Sequence, residues 1–261
     1  MIALDFADLC LAMGLMGIAI ALSAWQKLGL EWKLILATVR PIVQLAVVGY
    51  VLAVIFDTQA DTQGVDWLVW AALLMLSGLV ALVTRNRIGP NIPNLFLWVW
   101  GSLVMGAILH LLYVHLFIIQ PPSAVAPQYW IPLVAMVLGT SMNSAVIFGQ
   151  QLVKALTYAQ AEIETHLSLG ATPQQAIVQC RREAIRAGLI PSLNSMMIVG
   201  IITLPGFLSG ELLAGASPLD AVSYQILILF LSLLASLIVI LMLSHGIYRQ
   251  FFNREAQLRQ Y

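Results

Sequence analysis

Charge is what this chain has least of. Asp, Glu, Lys and Arg make up only 9% of its 261 residues, twelve of each sign, and the net charge is zero. Soluble domains carry about 25%. The three lysines, Lys27, Lys33 and Lys154, follow Gln26, Trp32 and Val153. A phosphate-binding loop needs a Gly-Lys-Ser/Thr step to cradle phosphate on backbone N–H groups. None is present, so ATP is not bound by that route, and the chain is expected to be no enzyme. Two cysteines, Cys10 and Cys180, are expected on opposite sides of a membrane, which excludes a disulfide framework. Asp5 and Asp8 stand where a signal peptide would carry Lys or Arg, so the first apolar segment is expected to be a retained span. No Asp, Glu or Lys falls in the middle of an apolar segment. Proton-coupled transporters use such groups as relays, and their lack counts against that class.

What is there is apolar: 61% hydrophobic residues and a mean hydropathy of +0.92. A membrane span needs about 20 such residues. Seven stretches qualify, at 9–25, 34–56, 67–83, 95–118, 131–152, 189–213 and 222–243. All twelve basic residues fall in alternate gaps: Lys27, Lys33 and Arg40; Arg85 and Arg87; Lys154, Arg181, Arg182 and Arg186; Arg249, Arg254 and Arg259. The other gaps hold only Asp5 and Asp8, then Asp57, Asp61 and Asp66, then Glu211 and Asp220. Basic loops stay cytoplasmic during insertion. The reading is an all-α polytopic membrane protein of seven transmembrane helices, N-terminus outside and C-terminus cytoplasmic, forming one domain over 1–261. Its place is the plasma membrane, the inner membrane of a bacterium. Every basic cluster flanks a span, which leaves no face for nucleic acid. Trp25, Trp32, Trp67, Trp130, Tyr129 and Tyr248 near segment ends fit an aromatic belt.

One connection is too long and polar for a turn. Over about 154–188, Leu152, Leu156, Ala159, Ile163 and Leu167 recur every three or four residues, an apolar stripe on a helix. Gly170 supplies a stop. Thr172-Pro173-Gln174-Gln175 then opens a second helix with an N-cap, a proline at the first helical position and a capping box. A cytoplasmic helical hairpin between the fifth and sixth spans follows, with a tight corner at 169–172. Connections of this length usually have a function. A docking element for a soluble partner is the sharper reading, and a plain solvated loop the blander one.

The stretch Glu164-Thr165-His166-Leu167-Ser168-Leu169-Gly170-Ala171-Thr172-Pro173 resembles the coupling loop of ABC transporter permeases, where an acidic residue precedes a loop glycine by six positions. Importers place a Leu-Pro pair about twelve residues after that glycine, and this chain has Arg181 and Arg182 there. The pattern LSLGATPQQA, AIRAGLIPSLNSMMIVGIITLPGFLSGELLAG and PLDAVSYQI is similar instead to the iron-export permeases of bacteria and their plant relatives, the aluminium-tolerance permeases. The resemblance is densest over 167–226. It implies a permease that pairs with itself and with two copies of a separate ABC ATPase. ATP-Mg would then be bound on the ATPase, with no cofactor on this chain. Glu164, Leu169, Gly170, Ala171, Thr172 and Pro173 would form the ATPase-coupling element, and iron or a related metal ion leaving the cytoplasm would be the cargo. A permease of the same build for another solute, such as a nucleotide sugar, stays open. So does a membrane anchor that recruits a signalling protein.

Within the spans the polar residues are neutral. Gln44, Asn143, Ser144, Asn194 and Ser195 are candidates to line a path, against the alternative of hydrogen bonding between helices. Met142, Met196 and Met197 beside them are more simply filler. His110 and His115 lie five apart and point to different faces, so they do not suggest a shared metal. His110 joins the path candidates as the only imidazole near mid-span, and Glu211 as the one carboxylate close to an outer exit. Iron(II) favours imidazole and carboxylate oxygen, and a neutral lining does not announce it. Pro205, Gly206 and Gly210 form a candidate hinge, or a kinked face where small residues let helices approach.

Overall fold

The computed structural model describes residues 6–61, 66–89, 92–117, 127–253 and 257–258. Asp5, Arg254 and Arg259, and the side chains of Asp8, Cys10, Asp57, Asp61, Asp66, Trp67 and Tyr129, lie outside the described residues. The chain divides into two compact units, Met1–Val65 and Asp66–Tyr261. The first holds α1 (Phe6–Trp25) and α2 (Glu31–Asp61). They form a hairpin whose turn is tied by Ser23 Oγ donating to Glu31 Oε1 at 3.1 Å. Lys27 and Gly29 turn the chain there through the left-handed region. Every described side chain from 39 to 51 of α2 is exposed in this unit, Arg40 and Gln44 included.

The second unit holds α3 (Asp66–Ile88), α4 (Leu95–Phe117), α5 (Pro127–Tyr158), α6 (Gln160–Ser168), α7 (Pro173–Ala176), α8 (Val178–Ile198), α9 (Gly206–Leu213) and α10 (Pro218–Phe251). The protein is an all-α polytopic membrane protein. Five described helices, α2, α3, α4, α5 and α10, are long and apolar enough to cross a bilayer. At 1.5 Å per residue, the 34 residues of α10 and the 32 of α5 run about 50 Å. That exceeds a hydrocarbon core of about 30 Å, so both project into water.

Buried positions on α10 fall at Ile228, Leu231, Ala235, Val239, Leu243 and Ile247, a three-to-four spacing that makes one stripe. α4 answers with Leu95, Val99, Leu103, Ala107, His110 and Val114. α5 packs on α3, α4, α8 and α10 and places Val137, Leu138, Ala145, Phe148, Leu152 and Leu156 in the core. In lipid these side chains gain little by leaving an apolar solvent, so close packing must hold the bundle. A close crossing of α8 with α5 is at Gly188. A Cβ there would lie 2.9 Å from Phe148 Cβ, from the Ser144 carbonyl oxygen and from Ile240 Cδ1.

Three expectations change. The sixth span is not one kinked helix: α8 ends at Ile198, residues 199–205 are non-helical, and Pro205 is the N-cap of α9. The interruption therefore lies before Pro205, where proline lacks an N–H and disfavours helix at the residue preceding it. Second, α8 runs as one helix from the hairpin into that segment, with Pro191 inside it leaving one bond of the ladder unmade. Third, Trp130 is no belt residue. It is 5% exposed and packs with Val114, Leu133, Ile228 and Leu231.

Candidate functional site

The hairpin corner is built by two local motifs back to back. α6 ends with Leu169 as C-cap and Gly170 at φ +90°. Gly170 N–H donates to Leu167 O and Ala171 N–H to His166 O, both at 3.0 Å. This is the paired closure that a left-handed glycine allows at a helix end. Thr172 then caps α7: its Oγ1 accepts from Gln175 N–H at 3.4 Å, and Thr172 N–H donates to Gln175 Oε1 at 2.8 Å. Pro173 follows at the first helical position. Leu169 N–H donates to Thr165 O at 3.1 Å, so four consecutive N–H groups, 169 to 172, are all satisfied. Such a corner is stiff without outside help.

Beneath it, Ile163 and Ile177 are 1% exposed, and Leu152 and Leu156 are fully buried. Of the expected stripe, Leu152 and Leu156 on α5 and Ile163 on α6 are buried. The tip faces outward. The Leu169 side chain is 81% exposed. Glu164 is exposed, with Oε1 accepting from Gln160 Nε2 at 2.8 Å and its carbonyl from Ser168 Oγ. Thr172 is exposed, and Ala171 and Pro173 are half-buried. A stiff corner with one protruding leucine can fill an apolar groove at little entropic cost.

The path candidates separate. Ser144 is buried, and its Oγ lies 3.4 Å from Ser192 Oγ, a hydrogen bond between α5 and α8. Asn143 is exposed on α5, and Asn194 and Ser195 on α8. Ser195 Oγ donates to Pro191 O at 2.9 Å within its own helix. His110 is 5% exposed, and neither ring nitrogen has a partner among the described residues. It lines an apolar cavity of about 230 Å³ with Gly106, Tyr113, Leu231 and Ala235. His115 lines a different pocket, with Trp70 and Trp130. Glu211 is half-buried on α9, and Gln44 is exposed on α2. Around Gly206 and Gly210 no described atom lies within contact reach of an added Cβ. On α8, Gly188 and Ser192, four apart, lie against α5, one turn beyond the buried Ala184. That spacing was readable in the sequence. Among the described residues no group of three or more His, Cys, Asp or Glu side chains is placed to hold a metal ion.

Residues 6–252 match the family model described as "Uncharacterised protein family (UPF0014)". The chain belongs to UPF0014. A UPF0014 membrane protein of Synechocystis is 48% identical over 258 residues, covering 99% of this chain and 98% of the relative. The Probable iron export permease protein FetB of Escherichia coli is 31% identical, covering 96% and 93%. The Arabidopsis Protein ALUMINUM SENSITIVE 3 is also 31% identical, covering 93% and 85%. No solved structure matches the chain. UPF0014 membership, with a relative named as a membrane protein, agrees with the multi-pass apolar helices.

Proposed function

We propose that this UPF0014 protein is the membrane permease subunit of an ATP-driven ABC transporter that moves a metal ion, iron above others, out of the cytoplasm. The single observation that carries the reading is the corner at 169–172: a self-satisfied turn with Leu169 protruding, braced on the buried seam of Ile163 and Ile177. The working unit is a homodimer with two ATPase subunits, which bind ATP-Mg. Each chain crosses seven times with its N-terminus outside, the α8–α9 segment counting as one interrupted crossing. Arg85 and Arg87 in the last turn of α3 and Arg249 in the last turn of α10 support that sidedness. When the ATPases close on ATP, they press the corner, and α8 passes the displacement into the membrane. Asn143, Asn194 and Ser195 are the polar groups open to line the route. The iron assignment rests on the relative named for iron export.

The test is co-purification with a partner ATPase in lipid nanodiscs, recording ATP hydrolysis with and without iron(II). A stable equimolar complex whose hydrolysis rises with iron supports pump and cargo together. A complex indifferent to iron keeps the architecture and moves the cargo to another solute. Leu169→Asp and Gly170→Trp should abolish ATPase capture while leaving membrane insertion intact. Normal capture in both removes the corner from the argument.

A further inference from the structure

On the seven-span reading proposed above, the interruption between α8 and α9 sits in the hydrocarbon. Arg186 is the last charged residue before it and stays at or below the cytoplasmic interface. Ile198 is twelve residues further on, about 18 Å along a helix of 1.5 Å rise. In a core of about 30 Å residues 199–205 therefore lie past the middle. There Ile198 O accepts from Ile201, Ile202 and Thr203 N–H, and Thr203 O from Gly200 N–H. The carbonyls of Val199, Gly200, Ile201, Ile202 and Leu204 accept nothing from the described residues. The same stretch is open: Ile201 is 84% exposed, Ile202 76%, Met197 74% and Leu204 64%, with Asn194 exposed one turn below Ile198. Irregular backbone is tolerated at that depth only when protein covers it or water lines it. Lipid alone cannot be its neighbour.

We infer that this face, Asn194 through Leu204, meets the same face of a second copy across a two-fold axis. The reading rests on the homodimeric permease proposed above and names its contact. A two-fold axis sets each residue near its own copy, so a charged face would repel itself. From Ala187 to Gly210 there is no Asp, Glu, Lys, Arg or His. Asn194 is the side chain suited to the axis, because an amide both donates and accepts and so pairs with an identical amide. Ser195 is already satisfied by Pro191 O. Lower on α8, Gly188 and Ser192 are committed to α5, so the helix leaves its own bundle where the open face begins. The free carbonyls are then covered by the second copy or wetted by the route along the axis.

The experiment places single cysteines at Asn194, Ile198 and Ile201 in the full chain carrying Cys10→Ser and Cys180→Ser, in native membranes with the partner ATPase present. Oxidation or a short bis-maleimide is expected to give a species of twice the chain mass at two or more of these positions. Ile108→Cys, on an exposed position of α4, should give none. Asn194→Asp should lower the dimer fraction in mass photometry at least fivefold, and Asn194→Gln should restore it. Absence of crosslinks at all three sites, or equal crosslinking at Ile108, overturns the contact. ATPase capture by the same preparation keeps that outcome separate from failure of the permease reading.

Discussion

Gly188→Ala tests whether α8 is seated as tightly as its contacts imply. The added methyl would meet Phe148 Cβ, Ser144 O and Ile240 Cδ1 at 2.9 Å, about 0.5 Å inside ordinary contact. Ile240 can swing its tip away. The Ser144 carbonyl and the Phe148 stem cannot move without α5. Overpacking of this kind costs about 1–3 kcal/mol. Alanine also gains about 1 kcal/mol over glycine in a helix interior, so the net loss is about 0–2 kcal/mol. A matched control removes the ambiguity. Gly101 on α4 has no described atom within 4 Å of an added Cβ. Gly101→Ala keeps the helical gain without the clash and should stabilise by up to about 1 kcal/mol. The two variants should therefore differ by about 1–3 kcal/mol, or roughly 2–12 °C in midpoint for a unit of this size. Thermal unfolding in one detergent, both variants side by side, reads this directly. If Gly188→Ala proves as stable as Gly101→Ala, α8 is not wedged against α5, and the passage of motion along it loses its support.

Three further outcomes are expected. Thr172→Ala removes the cap of α7 at a cost of about 0.5–2 kcal/mol, so amide exchange at Gln175 should quicken about 2- to 30-fold, and unchanged exchange would show that the capping box is not what stiffens the corner. His110→Leu removes two unpartnered nitrogens from an apolar cavity; stability should hold or rise by about 1–3 kcal/mol, with metal-stimulated hydrolysis unchanged, and lost hydrolysis at full stability would put His110 on the route. The Cys180 thiol is pushed up by burial first, then by the carboxylates of Glu162 and Glu183; because a raised value leaves less thiolate at a given pH, maleimide labelling at pH 8 should be slower than for a free thiol, and Glu162→Gln should speed it.

What could be read in the sequence was local. The capping box of Thr172 and Gln175 spans four residues and depends on no distant contact, and the structure forms it as written. The stripe through Leu152, Leu156 and Ile163 was legible for a similar reason, since a helix in water buries its apolar side. The interruption at 199–205 was not. Val, Ile, Ile and Leu read as span on any hydropathy scale, which measures solvent preference and is blind to the backbone. The signals were conformational: Gly200, a β-branched run and Pro205 close together. Trp130 was misplaced because nearness to a segment end says nothing about which face a side chain takes. Among path candidates the sequence could mark polar residues but not their neighbours, so the Ser144–Ser192 pair was visible only once α5 and α8 were seen to cross.

On the proposed mechanism, that crossing makes α8 a lever with Gly188 as its fulcrum. Gly188 stands ten residues from either end of a 21-residue helix, about 15 Å from each at 1.5 Å per residue. Arms of equal length return equal strokes of opposite sign. An ångström of push beside the corner would then become an ångström of opposite swing at Ile198. The free carbonyls beyond Ile198 would open or close by what the corner end is given, while a ruler between labels at either end of α8 should read a constant distance.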